Sequence, residues 1–186
     1  MAASKAGCNV DVNTPRSIEP PNLDAAAIVS VFNQHGVRYV VIGAFAAIAQ
    51  QAPIAPTRDI DFTPDDTADN LQRLSDALKE LGARVRTDMD DGGVPFDHDA
   101  ASLGRVSTWN LICEHGELDI AFRPSGFQGG YAQLAAHAHR VVVEGIETCV
   151  ADLDDVIRSK EAAGRPKDIQ VLPALYRHRS SRRAPG

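Results

Sequence analysis

The stretch APTRDIDFTP, residues 55–64, places two acids inside a run that otherwise has the composition of a buried strand. Because side chains alternate along a strand, Asp59 and Asp61 share one face, while Ile60 and Phe62 lie on the other. Two carboxylates that close repel each other, and Mg²⁺, which prefers carboxylate oxygens, would remove this repulsion. Taken alone, however, so short a pattern favours the solvated face of an edge strand.

A glycine upstream of this stretch favours the metal site. The run VRYVVIG, residues 37–43, is rich in β-formers and ends at Gly43, and the Ala-rich run AFAAIAQQA follows at once. This order predicts a strand that leads directly into a helix. The N–H groups at a helix start bind phosphates, and a glycine lets a triphosphate approach the backbone closely.

A third acid downstream points the same way. Asp119 lies in GELDIAF, residues 116–122, and apolar residues flank it on both sides. With Asp59 and Asp61 it would form a three-carboxylate cluster. Two metal ions shared by such a cluster suit in-line phosphoryl or nucleotidyl transfer.

The remaining pattern predicts helices and strands in mixed order. Residues 22–36 and 65–82 have helical spacing of apolar residues, with Asn22 as the expected N-cap of the first helix. Turn residues at EHGE and EGI predict two β-hairpins, and two helices are expected after residue 151. Residues 88–103 lack periodicity and are expected to form a loop. We divide the chain into a flexible arm (1–21), a core (22–150) and C-terminal helices with a basic tail (151–186).

Charge and cysteine content limit the classes of protein to consider. The net charge is −6, but residues 158–186 hold eight of the 19 Lys and Arg residues and only two of the 25 acids. The basic side chains of this segment would either bind phosphate groups or remain in contact with solvent. Three widely spaced cysteines give no disulfide framework, so a cytoplasmic location is expected. We expect neither a membrane span nor a signal peptide.

Together, these motifs resemble the polymerase-β-like nucleotidyltransferase superfamily. The C-terminal run SKEAAGRPKD, residues 159–168, resembles the branch that contains the AbiEii and MenT toxins. The resemblance covers residues 24–178. It implies an α+β protein with the nucleotidyltransferase fold, in which helices flank a mixed β-sheet and a helical segment follows at the C-terminus. It also implies Mg²⁺ and an NTP as cofactor and co-substrate, a tRNA acceptor and a cognate antitoxin.

The resemblance assigns a role to each matching residue. The metal ligands would be Asp59, Asp61 and Asp119, with Asp119 also deprotonating the acceptor hydroxyl. The catalytic set would be completed by Lys160, which pairs with the triphosphate, and by Asp168. The nucleotide-binding residues would be Gly43, Ala44, Thr57, Arg58, Lys160 and Arg165. In some toxins of this branch, phosphorylation at the position of Thr57 blocks NTP binding.

The sequence departs from the family at two positions, and other interpretations stay open. Ala44 replaces the usual Ser or Gly and removes a phosphate-binding hydroxyl. An Arg often precedes the two aspartates by several residues in this family, but position 55 is Ala. Arg58 is nearby, yet it directly precedes Asp59, so strand alternation would direct it to the opposite face. Lys160 and Asp168 are also compatible with an ordinary surface ion pair. The alternative functions are a small-molecule nucleotidyltransferase, such as one that modifies an aminoglycoside, and an inactive binding module of the same fold.

Overall fold

A computed structural model describes residues 22–183, which form seven helices and eight strands. In chain order these are α1 (Ala25–Gln34), β1 (Tyr39–Ile42), α2 (Gly43–Ala49), β2 (Asp59–Pro64), α3 (Ala68–Glu80), β3 (Arg84–Thr87), β4 (Asp90–Val94), α4 (Ala100–Leu103), β5 (Thr108–Cys113), β6 (Gly116–Ala121), α5 (Gly130–Ala135), β7 (His139–Val143), β8 (Ile146–Val150), α6 (Leu153–Ala163) and α7 (Pro166–Arg183). The α+β class predicted from the sequence is confirmed.

All eight strands form one mixed sheet, and the strand with the two aspartates lies inside it. The strand order is β4-β3-β5-β6-β2-β1-β8-β7. β2 pairs in antiparallel fashion with β1 and in parallel with β6. The edge-strand interpretation of Asp59 and Asp61 is therefore wrong.

The apolar residues of β2 fix which way its acids face. Ile60 and Phe62 are fully buried. The Phe62 ring packs against Phe32 of α1 and Tyr39 of β1, with ring centroids 4.6 and 5.2 Å apart. Burying one such side chain contributes about 1.5–3 kcal/mol. A one-residue slip of β2 would expose both, so the register is strongly held.

Residues of α2 and α6 lie on the side of the sheet that the aspartates face. These two helices contact each other, and α6 packs in turn on α7. Gly164 is the C-cap of α6, and its φ of +59° reverses the chain into α7. The two predicted C-terminal helices are confirmed, and Pro166 begins the second, where proline is tolerated.

Two local predictions need correction. Asp24 caps α1 in place of Asn22, because its carboxylate accepts a hydrogen bond of 2.9 Å from the N–H of Ala27. Residues 88–103 are not all loop. They contain β4, an edge strand with no apolar alternation to reveal it, and the single-turn α4, which a capping box of Asp99 and Ser102 stabilises.

The remaining expectations have different outcomes. The hairpins β5–β6 and β7–β8 are confirmed. The arm at residues 1–21 and the last residues of the basic tail, 184–186, lie outside the described part of the chain. Within residues 22–183, no helix has the length and apolarity that crossing a bilayer requires.

Candidate active site

Three carboxylates from two neighbouring strands converge on one face of the sheet. β2 and β6 run in parallel with Asp61 opposite Asp119, so these side chains project side by side, and Asp59 lies two residues earlier on the same face. One oxygen from each of the three lies within 4.8 Å of the other two. The structure thus brings together the three residues that the sequence proposes as metal ligands.

The surroundings of Asp61 and Asp119 disfavour the ionised forms of these two carboxyl groups. Burial, together with the charges of Asp59 and Asp119, raises the pKa of Asp61 to about 7. Burial also raises the pKa of Asp119, although the Arg86 guanidinium opposes the change. A divalent cation would relieve the repulsion, and three carboxylates supply the hard oxygen ligands that Mg²⁺ requires. The donor set therefore fits a magnesium site.

Gly43 allows the start of α2 to lie against this cluster. Its φ is +71°, a conformation that side-chain-bearing residues rarely adopt. A Cβ atom built on Gly43 would lie only 2.0 Å from Oδ2 of Asp61. The structure thus gives Gly43 a definite role, which is to leave room for the Asp61 carboxylate. Phosphate binding by the N–H groups after Gly43 stays a prediction, since α2 has only seven residues.

Asp59, Asp61 and Asp119 line an open cavity of about 680 Å³, and basic side chains line the same cavity. Lys160 of α6 and Arg165 of the α6–α7 turn both bind Asp168, with Nζ–Oδ1 and Nε–Oδ2 distances of 3.1 and 2.6 Å. Burial opposes ionisation of Asp168, but the hydrogen bonds from Arg165 and Lys160 outweigh it and lower the pKa of Asp168.

The surface ion-pair interpretation of Lys160 and Asp168 is wrong. The side chain of Asp168 is 1% exposed and that of Lys160 is 12% exposed. Asp168 lies in the first turn of α7, close beneath the turn that carries Arg165. It therefore holds both cations at the cavity wall.

The three remaining predicted nucleotide-binding residues also line the cavity. The Thr57 hydroxyl donates a hydrogen bond of 2.5 Å to Oδ1 of Asp59. Ala44 lines the cavity but has no hydroxyl group that could bind a phosphate, as the sequence indicates. Arg58 precedes the first residue of β2, so strand alternation does not apply to it, and it lines the same cavity as Asp59.

Sequence reasoning missed two residues beside the cluster. Arg86 of β3 binds Glu117 of β6 and donates a hydrogen bond of 3.0 Å to Oδ1 of Asp119. Nothing in the short run ARVRT distinguishes Arg86 from a surface arginine. Glu117, however, precedes Asp119 by two residues, so alternation already placed it on the same face.

Comparisons with known proteins identify the fold. No protein-family model matches the sequence, and no curated protein does. A candidate nucleotidyltransferase from Thermotoga maritima is similar in structure, with a TM-score of 0.50 and 16% identity over 82% of this chain and 89% of that chain. The nucleotidyltransferase ANT(2″)-Ia, solved with adenylyl-2″-tobramycin, also has a TM-score of 0.50, with 15% identity over 80% of this chain and 83% of its own.

These similarities confirm the nucleotidyltransferase fold that the motifs imply. At such low identity they establish the architecture and leave the reaction to be argued from the residues of the site.

Proposed function

We propose that this protein is a Mg²⁺-dependent nucleotidyltransferase, which transfers an NMP from an NTP to a hydroxyl group. The observation that carries this proposal is the arrangement of charges around the cavity. Asp59, Asp61 and Asp119 converge at the cavity, and the cations held by Asp168 line the same cavity. A metal–triphosphate complex needs this combination of carboxylates and cations.

The metal site would be formed by the three carboxylates. Asp59 and Asp61 would hold the Mg²⁺ ions, two of which we expect, and Asp119 would be the third ligand. When bound, Mg²⁺ neutralises charge on the leaving pyrophosphate and lowers the pKa of the acceptor hydroxyl. Thr57 would keep the Asp59 carboxylate in place through its hydrogen bond.

Asp119 would take the proton from the acceptor hydroxyl. Its carboxylate lines the cavity beside Asp59 and Asp61, where the acceptor hydroxyl would have to lie to reach the metal-bound triphosphate. The hydroxyl oxygen would form a bond to the α-phosphorus as the bond from that phosphorus to the bridging oxygen breaks. Pyrophosphate then leaves with the electron pair, and the proton remains on Asp119.

The triphosphate would bind the basic wall. Lys160 and Arg165 would contact its β- and γ-phosphates, because Asp168 fixes both side chains while leaving donors free to bind phosphate oxygens. Arg58, which is exposed at the cavity edge, would contact the same phosphates. Gly43 and Ala44 would border the nucleotide at the start of α2.

The acceptor we propose is the 3′ end of tRNA, with the protein as the toxin of a toxin–antitoxin pair. Two features support this choice, namely the resemblance of SKEAAGRPKD to the toxin branch and the basic C-terminal half of α7. A phosphate on Thr57 would add negative charge beside Asp59, so an antitoxin that phosphorylates this residue would oppose metal and NTP binding.

A small-molecule acceptor is the second candidate. ANT(2″)-Ia, which shares the fold, was solved with an adenylylated tobramycin. The acidic net charge of this chain, −6, would suit a cationic acceptor of this kind. In the third interpretation, an inactive module of this fold would bind NTP without transferring it.

The test is a transfer assay with each labelled NTP and Mg²⁺, in which total RNA or tobramycin is the acceptor. The controls are EDTA and Asp61→Asn, which keeps the shape of the side chain but removes its charge. Label that enters tRNA only with the native protein supports the proposal. Label on tobramycin would favour the second candidate. Transfer to neither acceptor, with NTP binding retained, would favour the inactive module.

A further inference from the structure

The backbone directs four carboxylates, and not three, to the face of the sheet that carries the candidate site. β2 contributes Asp59 and Asp61, and β6 contributes Glu117 and Asp119. The two strands are parallel and in register, with Asp59 opposite Glu117 and Asp61 opposite Asp119. Residues two apart share a face, and neighbouring strands lie about 4.8 Å apart. The backbone of Glu117 therefore lies close enough to the cluster for its carboxylate to join the three aspartates.

Glu117 is nevertheless absent from the group of converging oxygens within residues 22–183, which contains only the three aspartates. Its carboxylate instead binds Nη1 of Arg86. The same guanidinium donates from Nη2 to Oδ1 of Asp119. Arg86 comes from β3, so its side chain reaches across β5 to make both contacts.

An arginine suits this task because its planar fork can bind two acceptors at once, which a lysine ammonium cannot do with the same geometry. All three side chains are partly shielded from water, with exposed fractions of 29% for Arg86, 21% for Glu117 and 18% for Asp119. The contacts are therefore less screened than those of a surface ion pair.

Removing Arg86 would leave Glu117 and Asp119 without the guanidinium that binds both of them. A long, flexible glutamate could then turn toward the cluster and bind the metal itself. Cation affinity rises with the number of charged ligands, so the metal would bind more tightly. The extra ligand would also occupy a coordination position that phosphate oxygens need.

We propose that Arg86 is a positioning residue, which holds Glu117 outside the metal cluster and fixes Asp119 within it. The part that concerns catalysis rests on the proposed function, and the part that concerns metal binding does not.

The first experiment measures metal binding alone. Mn²⁺, which takes the same oxygen ligands as Mg²⁺, is titrated into the full-length protein. The concentration of free Mn²⁺ is measured by electron paramagnetic resonance. We expect Arg86→Gln to bind Mn²⁺ about tenfold more tightly, since it frees a fourth carboxylate. Arg86→Gln with Glu117→Gln should return to within about twofold of the native affinity. Unchanged or weaker binding by Arg86→Gln would overturn the proposal.

The second experiment measures transfer by the same variants. Arg86→Gln should lower kcat by about 10- to 100-fold, as loss of a partner that orients a metal ligand typically does, with a much smaller change in KM for NTP. Adding Glu117→Gln should recover a large part of this loss, because the competing carboxylate is gone. A double variant no more active than Arg86→Gln would count against the proposal.

Two further measurements keep the outcomes separate. Arg86→Lys retains the charge but cannot bridge two carboxylates with the same geometry, so its Mn²⁺ affinity and kcat should be intermediate. A merely structural role would instead make the variants lose stability, metal binding and activity together, which thermal unfolding would show. If the native protein transfers no nucleotide, the proposed function fails, while the Mn²⁺ titration still decides the role of Arg86.

Discussion

The substitution Gly43→Ala tests how closely α2 lies against the carboxylate cluster. It adds one methyl group at a position where φ is +71° and where Oδ2 of Asp61 would be 2.0 Å away. Carbon and oxygen atoms that are not bonded cannot approach so closely. The Asp61 carboxylate must therefore move by about 1 Å or more to regain ordinary contact distance.

Two costs follow from this geometry. A side chain in the left-handed region costs about 1–2 kcal/mol. Turning Asp61 away from its preferred rotamer adds about 0.5–1.5 kcal/mol. A total of about 1.5–3.5 kcal/mol corresponds to a fall in Tm of about 3–14 °C for a domain of this size. A displacement of about 1 Å at a reacting centre can lower the rate by about 100-fold.

Gly82→Ala is the matched control. Gly82 has a similar φ of +58°, but a Cβ atom there meets nothing within 4 Å. This variant should show the backbone cost alone and keep native Mn²⁺ affinity and transfer rate, while Gly43→Ala loses both. Thermal unfolding, Mn²⁺ titration and the labelled-NTP assay give the comparison. Equal behaviour of the two variants in metal binding and transfer would refute the reasoning.

Three further predictions concern single side chains. Thr57→Val removes a hydrogen bond to the Asp59 carboxylate that is worth about 1.5–3 kcal/mol, so the transfer rate should fall by at least about tenfold. Thr57→Ser keeps the hydroxyl and should keep a transfer rate near that of the native protein. A fully active Thr57→Val would contradict this role. In EDTA, Asp61→Asn should raise Tm, and the gain should grow between about pH 4 and pH 7. The pKa of Asp61 in the folded protein, about 7, lies above its usual 3.8, so ionisation costs folding free energy, by up to about 1.4 kcal/mol per pH unit across that window; a gain independent of pH would argue against the raised pKa. Asp168→Asn should destabilise the protein by about 3–5 kcal/mol at neutral pH, because it leaves Lys160 without its buried partner. Since the pKa of Asp168 lies below its usual 3.8, the stabilising effect of its carboxylate should be complete above about pH 4 and disappear as the pH falls through the lowered pKa. If the native protein and Asp168→Asn differed as much in stability in strong acid as at neutral pH, the pairing would be contradicted.

Much of the candidate site was accessible from local sequence. Alternation along β2 placed Asp59 and Asp61 on one face, and the apolar Leu118 and Ile120 on either side of Asp119 marked it as a third acid within a strand. Gly43 was recognised because a strand, a glycine and a helix follow one another directly. In each case the informative residues lie within a few positions of one another, where backbone geometry alone relates them.

Other features could not be predicted in this way. β4 is an edge strand with charged and glycine residues, so it has no apolar period, and α4 is too short to show one. Arg86 reaches Asp119 only because β3 and β6 flank β5 in the sheet, an order that no local pattern specifies.

The sequence by itself determined that Asp59 and Asp61 share one face of a strand, the α+β class and the resemblance to nucleotidyltransferases, because all three depend on short-range periodicity and spacing. Only the tertiary structure decided that the acids face a cavity and not solvent. That outcome depends on β2 lying between β1 and β6 and on the residues of α2, α6 and α7 that line the cavity with its acids. The tertiary structure also decides that Asp168 is buried and that Glu117 stays outside the metal cluster. Each of these acids is bound by a cation from another element, Asp168 by Lys160 and Glu117 by Arg86.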